Sequence, residues 1–258
     1  MSGPAGTALS GAEPVPVRAV WPAPGEITMG DLVDRYARAD QPTLRVNFVS
    51  SLDGAVTVDG FSAGLSGPGD KLIFNTLRML CDALVVAAGT IRTEGYDALR
   101  LDAARRDWRR AHGLPEFPLM VVVSRSLHLD PDQLIFSDAP VRPIVLTAAA
   151  APADRRTALA RVAEVVSVGE RDVDLAVAVA ELRVRGATQL LSEGGPALLG
   201  ALIAADLVDE LCLTVAPLLT GGTAGRIATG PAGPPRSMSL RHILAEGDML
   251  FLRYARST

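Results

Sequence analysis

A carboxylate ends an apolar run in Leu190-Leu191-Ser192-Glu193-Gly194-Gly195-Pro196-Ala197-Leu198-Leu199. The pattern reads as a strand, then Glu-Gly-Gly, then a helix whose first turn carries no bulky side chain. Bare N–H groups and the helix dipole at such a start form a cradle for a pyrophosphate. The full GxGxxG spacing is missing, and Gly194-Gly195 alone is weak evidence for a nucleotide. Glu193 beside an anion cradle repels phosphate unless it faces another ligand, and an amino-substituted heterocycle that hydrogen-bonds to the carboxylate would be one.

Three further segments carry polar groups where chemistry is expected. Val46-Asn47-Phe48-Val49-Ser50-Ser51-Leu52-Asp53-Gly54 runs a strand into a polar turn, and open α/β sheets bind ligands at the carboxyl ends of their strands. The competing reading is that Asp53-Gly54 only turns the chain. In Phe61-Ser62-Ala63-Gly64-Leu65-Ser66-Gly67-Pro68-Gly69-Asp70-Lys71 a Gly/Ser loop enters a helix, which suits close approach of backbone to phosphate. It is not a P-loop, because Leu72 rather than Ser or Thr follows Lys71, and Ser66 has a simpler role as a helix cap. From Leu77 to Arg92 a helix end carrying Arg78 feeds an apolar strand that stops at Gly89-Thr90, where Thr90 can donate to a flat or phosphorylated ligand. Arg78 taken alone fits a surface position equally well.

Other chemistries are disfavoured. His112, His128 and His242 are far apart with no HxxxH, HxH or CxxC, so no metal site is expected. No Gly-x-Ser-x-Gly occurs, which argues against nucleophilic hydrolysis. Cys81 and Cys212 do not suggest a disulfide scaffold.

The elements that must position these residues follow from periodicity. From Leu44 short β-rich runs alternate with amphipathic stretches, the signature of an α/β fold with a mainly parallel central sheet and helices on both faces. The strands are expected at 44–50, 83–87, 118–123, 142–146, 164–168, 188–192, 209–216 and 248–255, and the helices at 69–81, 152–162, 173–185 and 195–205. No helix pattern separates the last two strands, so the sheet is expected to close with antiparallel pairing. Ala148–Ala151 and Gly230–Pro235 read as loops. Residues 1–42 hold six prolines, Pro4, Pro14, Pro16, Pro22, Pro24 and Pro42, and are expected to form an extended or irregular arm rather than a packed unit. A short helix is expected within it, since Leu32, Val33, Tyr36 and Ala37 have helical spacing behind Thr28 and Asp31 as N-caps.

The remaining 43–258 is then expected to be one domain. With 258 residues, 48% hydrophobic, and a mean hydropathy of +0.26, the chain can bury a substantial core, and whole-chain disorder is excluded. Its 25 basic residues, of which Lys71 is the only lysine, stand against 29 acidic ones, and the net charge of −4 argues against an extended nucleic-acid surface. Met1–Gly11 has no basic region leading an apolar one, and no 18-residue apolar run occurs, so no membrane partner and a cytoplasmic location are expected.

Taken in order, these segments, with Val208-Asp209-Glu210-Leu211 and the later Pro217-Leu218-Leu219-Thr220-Gly221-Gly222, resemble the C-terminal reductase domain of the riboflavin-biosynthesis protein RibD. The resemblance covers about residues 42–255. It implies a fold like dihydrofolate reductase with antiparallel C-terminal strands, NADPH as hydride donor, a homodimer, and a small-molecule substrate. That substrate is a phosphoribosylamino-pyrimidine, either 5-amino-6-(5-phosphoribosylamino)uracil or its 2,5-diamino analogue, whose ribosyl group becomes ribityl. By position, Ser50, Gly89, Thr90, Ser124, Arg125, Gly194, Gly195 and Pro196 are implied to bind the cofactor. Asn47, Ser62, Ser66, Arg78, Glu193 and Arg100 are implied on the substrate side, with Glu193 and Glu94 as candidate catalytic carboxylates.

Two departures matter. The H-x-E and P-C-x-x-C signature of the zinc deaminase found in bifunctional members is absent from this sequence, so a reductase without that deaminase is expected. Where the family tends to read Asp-Asp-Pro-x-Leu-Thr-x-Arg, this chain reads Glu94-Gly95-Tyr96-Asp97-Ala98-Leu99-Arg100, leaving Arg100 to take the place of the substrate-phosphate arginine after a small shift. Dihydrofolate, which shares the 2-amino-4-oxopyrimidine edge, is therefore the competing substrate, and a non-catalytic NADPH-binding protein is the competing class.

Overall fold

The computed structural model describes residues 14–231 and 233–257. Residues 1–13, with Pro4 and the Met1–Gly11 start, lie outside them, as does Ala232 within the expected Gly230–Pro235 loop. The centre is an 11-stranded sheet of order β2-β1-β10-β11-β9-β3-β8-β4-β5-β6-β7. Its parallel part comprises β3 (Thr43–Ser50), β4 (Ala83–Ala87), β5 (Leu119–Val123), β6 (Ile144–Thr147), β7 (Glu164–Ser167), β8 (Gln189–Gly194) and β9 (Glu210–Val215). Antiparallel pairing begins where β11 (Met249–Arg256) meets β9 and continues through β10 (Met238–Glu246) to β1 (Pro14–Trp21) and β2 (Gly25–Thr28). The expected closure by antiparallel strands is therefore present, with β10 forming a hairpin partner that the sequence reading left out.

Strand alternation splits the core between two faces. Leu84, Val86 and Val122 pack in one cluster with Ile73 and Leu77 of α2 (Pro68–Leu80), whereas Val85 and Val121 pack in the other. That second cluster takes in Ala178, Val179 and Leu182 of α7 (Leu175–Val184) and Leu198, Leu199 and Leu202 of α8 (Pro196–Ala204). Both α2 and α8 begin with proline, whose missing N–H would have no partner in a first turn anyway. α3 (Ala88–Glu94) and α4 (Ala103–Ala111) were not foreseen, and α3 starts directly at the end of β4.

The N-terminal segment differs from expectation. Instead of lying outside the core, its described part supplies β1, β2 and α1 (Met29–Arg35), and Val17, Ile27, Leu32 and Tyr36 are buried. Prolines fit because β1 contacts β10 only from Arg18 onward, so Pro14 and Pro16 precede that ladder. α1 starts as its sequence signals, with Asp31 N–H donating to Thr28 Oγ1 at 3.2 Å and Thr28 N–H to Asp31 Oδ2 at 2.8 Å.

A buried ion cluster ties this segment to the sheet. Arg45 Nε and Arg253 Nη2 both donate to Glu210 at 2.6 Å, while Arg45 Nη1 donates to the Tyr36 carbonyl at 2.9 Å. His242 packs edge-on against Tyr36, ring centroids 4.8 Å apart, and its Nε2 has no hydrogen-bond partner among the described residues. Burial, with Arg253, Arg35 and Arg45 nearby, pushes the imidazole pKa down to about 3. In the unfolded chain the same ring takes a proton near its ordinary 6.5. Between those values the unfolded state binds more protons, so this contribution to stability is complete above pH 6.5 and is lost as pH falls toward 3. His242→Phe is expected to remove up to about 1.4 kcal/mol per pH unit from the slope of unfolding free energy in that window, measured by urea denaturation. An unchanged slope contradicts the assignment.

Candidate functional site

β3, β8 and β4 lie side by side, with Val46 opposite Ser192 and Ser192 opposite Val85. Their carboxyl ends therefore bring Asn47, Glu193 and Ala87 to one edge of the sheet, where they line a cleft of about 660 Å³. The cleft wall across from them is α2, which presents Lys71, Phe74 and Arg78. Beyond β3 the chain turns tightly: Gly54 adopts φ +87°, a left-handed conformation that favours glycine, and its N–H donates to Ser51 O at 3.1 Å. Asp53 accepts the Gly221 N–H at 2.7 Å and the Thr220 N–H at 3.3 Å, tying this turn to the Pro-Leu-Leu-Thr-Gly-Gly loop. The Ser51 hydroxyl and those amides hold its carboxyl well below the usual range. Asp53 thus fixes the turn and does not line the cleft.

The strongest polar feature of the cleft is a buried pair. Arg78 Nη2 donates to Glu193 Oε2 at 2.6 Å, and its Nε reaches both carboxylate oxygens at 3.0 Å. Tyr96 O–H donates to the same Oε2 at 3.0 Å. The Glu193 side chain is only 2% exposed, and the Arg78 guanidinium lies 3.8 Å from the Phe74 ring centroid. Burial opposes the charge on Arg78, but Glu193 and Tyr96 outweigh it and raise its pKa above the ordinary value. Burial first, and then Glu193, push the Tyr96 phenol well above its usual range, so it stays a proton donor. Oε2 therefore receives most of the bonds and Oε1 keeps acceptor capacity.

The residues expected from sequence to cradle a phosphate meet as well. A Cβ on Gly195 would fall 2.5 Å from Thr90 Oγ1, so glycine lets the start of α8 close onto α3. Pro196 has no N–H, and Ala197 and Leu198, in the first turn of α8, line the cleft. Glu94 accepts Ser62 N–H at 3.3 Å and Ser62 O–H at 3.0 Å. Asp70 accepts the hydroxyls of Ser66 at 2.5 Å and Thr214 at 2.6 Å.

Of the residues proposed from sequence, the cleft gathers Asn47, Ser62, Ser66, Arg78, Gly89, Thr90, Glu94, Glu193, Gly195 and Pro196. Ser50, Gly194, Ser124, Arg125 and Arg100 do not line it. Gly194 instead packs behind the cradle against Thr90 and Val86, and Ser50 is buried at the β3 end. Ser124 follows β5 at the same sheet edge but is buried, its hydroxyl accepting Leu127 N–H at 3.1 Å. Arg125 pairs with Asp172 in solvent, and Arg100 donates to Asp138 Oδ1 at 2.7 Å and Oδ2 at 2.8 Å. Arg100 is thus held away from the cleft by a carboxylate 38 residues distant. Tyr96, Phe74 and Asp70 were missed; the sequence signal for Tyr96 was its place in the segment that departs from the family pattern.

Residues 42–252 match the model of the RibD C-terminal domain. The chain belongs to that family. The 2,5-diamino-6-ribosylamino-4(3H)-pyrimidinone 5′-phosphate reductase of Archaeoglobus fulgidus is 31% identical over 183 residues, 70% of this chain and 83% of the relative. The reductase of that name from Methanothermobacter thermautotrophicus is 31% identical over 189 residues, 72% of this chain and 82% of the relative. Among solved structures, a pyrimidine reductase-like protein from Corynebacterium diphtheriae superposes with a TM-score of 0.78 at 26% identity, covering 84% of this chain and 92% of that one. Within this RibD-type domain, no helix among the described residues is long and apolar enough to cross a membrane.

The buried pair makes a stability prediction. Arg78→Met leaves Glu193 charged and unmatched, and is expected to lower unfolding free energy by about 3–5 kcal/mol. Adding Glu193→Leu should restore much of the loss in urea titrations. A single-variant loss below about 1 kcal/mol, as for an exposed pair, would contradict this.

Proposed function

We propose that this RibD-type chain is an NADPH-dependent reductase acting on 2,5-diamino-6-ribosylamino-4(3H)-pyrimidinone 5′-phosphate or its 5-amino-uracil analogue, converting the ribosyl group to ribityl. The observation that carries this reading is the Glu193 carboxylate, buried at the end of β8 and held by Arg78 and Tyr96, beside a glycine cradle in the same cleft. The relatives' shared name supports it over dihydrofolate reduction and over a non-catalytic role. The resemblance also implies a cytoplasmic homodimer.

The residues present fit the dinucleotide. The backbone at Gly195, kept bare by its proximity to Thr90, and the free first-turn amides of Ala197 and Leu198 suit a pyrophosphate. Gly89 and Thr90 extend the same wall. When bound there, NADPH supplies a hydride from its nicotinamide ring. Glu193 Oε1 accepts an amine N–H of the pyrimidine, and Arg78 and Tyr96 keep that oxygen in place. Paired with Arg78, Glu193 is assigned to orient the substrate. Among the described residues Glu94 bonds to Ser62 and enters no ion pair, and it is assigned the proton taken up as the opened sugar is reduced. Phe48, Val49 and Phe74 provide an apolar wall that limits water at the reacting carbon.

NADPH absorbance is expected to fall when the ribosylaminopyrimidine phosphate is added and to stay constant with dihydrofolate; the reverse overturns the reading. Glu193→Gln should lower kcat/KM by about 100-fold or more, and Tyr96→Phe by about 10-fold, with NADPH affinity nearly unchanged. Gly195→Ala should instead weaken NADPH binding by about 10-fold in a fluorescence titration. Equal loss of NADPH affinity in Glu193→Gln would place Glu193 on the wrong ligand.

A further inference from the structure

We propose that Lys71, the only lysine in the chain, holds the 5′-phosphate of the substrate. The inference rests on the reduction proposed above, whose substrate carries a pyrimidine at C1′ of a five-carbon sugar and a phosphate at C5′. A phosphate monoester carries close to two negative charges at neutral pH and needs a cation in the cleft. Among the described residues, two cationic side chains line it, Lys71 and Arg78. Arg78 is consumed by Glu193, which it meets through three hydrogen bonds. Arg100 is held outside by Asp138. Lys71 is exposed, and among the described residues its ammonium enters no ion pair.

The four carboxylates that line the cleft do not claim it either. Asp70 is occupied by two hydroxyls, Glu94 by Ser62, and Glu193 by Arg78 and Tyr96, while Asp97 enters no ion pair among the described residues. At the start of α2, Pro68 has no N–H, and Gly69 N–H already donates to Glu246 Oε2 at 2.7 Å.

Position along α2 selects the substrate phosphate over the phosphates of NADPH. Lys71, Phe74 and Arg78 follow i, i+3, i+7 spacing and all face the cleft. Seven residues of helix place Lys71 about 10 Å from Arg78 along the axis. An opened five-carbon chain with a terminal phosphate spans a comparable distance from a pyrimidine held at Glu193. The cofactor cradle at Thr90 and Gly195 belongs instead to the strand ends across the cleft.

The test compares Lys71→Met and Lys71→Arg in the full chain. Lys71→Met should raise KM for the phosphorylated substrate by about 10-fold or more, with kcat and NADPH affinity within about twofold of the parent. KM for the dephosphorylated pyrimidine riboside should not move, and Lys71→Arg should recover most of the loss. An unchanged KM, or an NADPH affinity that falls with it, overturns the proposal. A second readout needs no turnover: ribose 5-phosphate should protect Lys71 from amine acetylation, read on its peptide by mass spectrometry, and ribose should not. If the parent fails to reduce the pyrimidine, the activity reading fails, and the protection experiment alone decides Lys71: protection upholds a sugar-phosphate site, and equal labelling overturns it.

Discussion

A carboxylate removed from water must find its counter-charge and hydrogen bonds inside the protein, and among the described residues Glu193 takes its charge partner from Arg78 and a further bond from Tyr96. Those partners come from the last turn of α2 and the loop after α3, so one ion pair sets how helix, loop and sheet edge meet. α2 has to be anchored at both ends for Arg78 to arrive in register. Glu246 takes up its first-turn amide at Gly69, while Arg109, fully buried on α4, donates to the Met79 and Cys81 carbonyls at 2.7 and 2.6 Å. Just beyond, Asp82 accepts the backbone N–H groups of Thr188 and Gln189, joining the start of β4 to β8. Glu193 and Arg78 therefore sit on elements locked together at the opposite end of the strands from the cleft.

The antiparallel half of the sheet serves the same end. Glu210 collects Arg45 from β3 and Arg253 from β11, and these arginines reach on to the carbonyls of Arg35, Tyr36 and Ala37 at the end of α1. The proline-bearing segment is thus fastened across β3, the strand that carries Asn47 into the cleft. The described part of the segment expected to be an irregular arm thus closes one side of the sheet.

Much of the fold was legible because its signals are local. Parallel strands buried on both faces read as apolar runs, and the four helices bounded by Pro68, Pro152 and Pro196 or by polar loops fell within a few residues of their observed ends. Glu193, Arg78 and the glycine cradle were legible from ordered motifs at strand ends. What escaped depends on partners remote in sequence. Nothing near Arg100 or Arg125 announces Asp138 or Asp172, and nothing near Tyr96 announces Glu193, 97 residues away. β1 was obscured by prolines that lie ahead of its ladder with β10, and β10 by Arg241 and the buried His242 interrupting its apolar run.

The proposed reduction turns on delivery of a hydride, in this cleft, from the nicotinamide to the sugar carbon attached to the pyrimidine amine. The most direct measurement is the mass of the product formed with NADPH carrying deuterium at both nicotinamide C4 positions. The expected product is a ribitylaminopyrimidine phosphate carrying one deuterium at C1′, formed by the parent chain and about 100-fold more slowly or worse by Glu193→Gln. Product without deuterium, or deuterium placed in the pyrimidine ring, would contradict it.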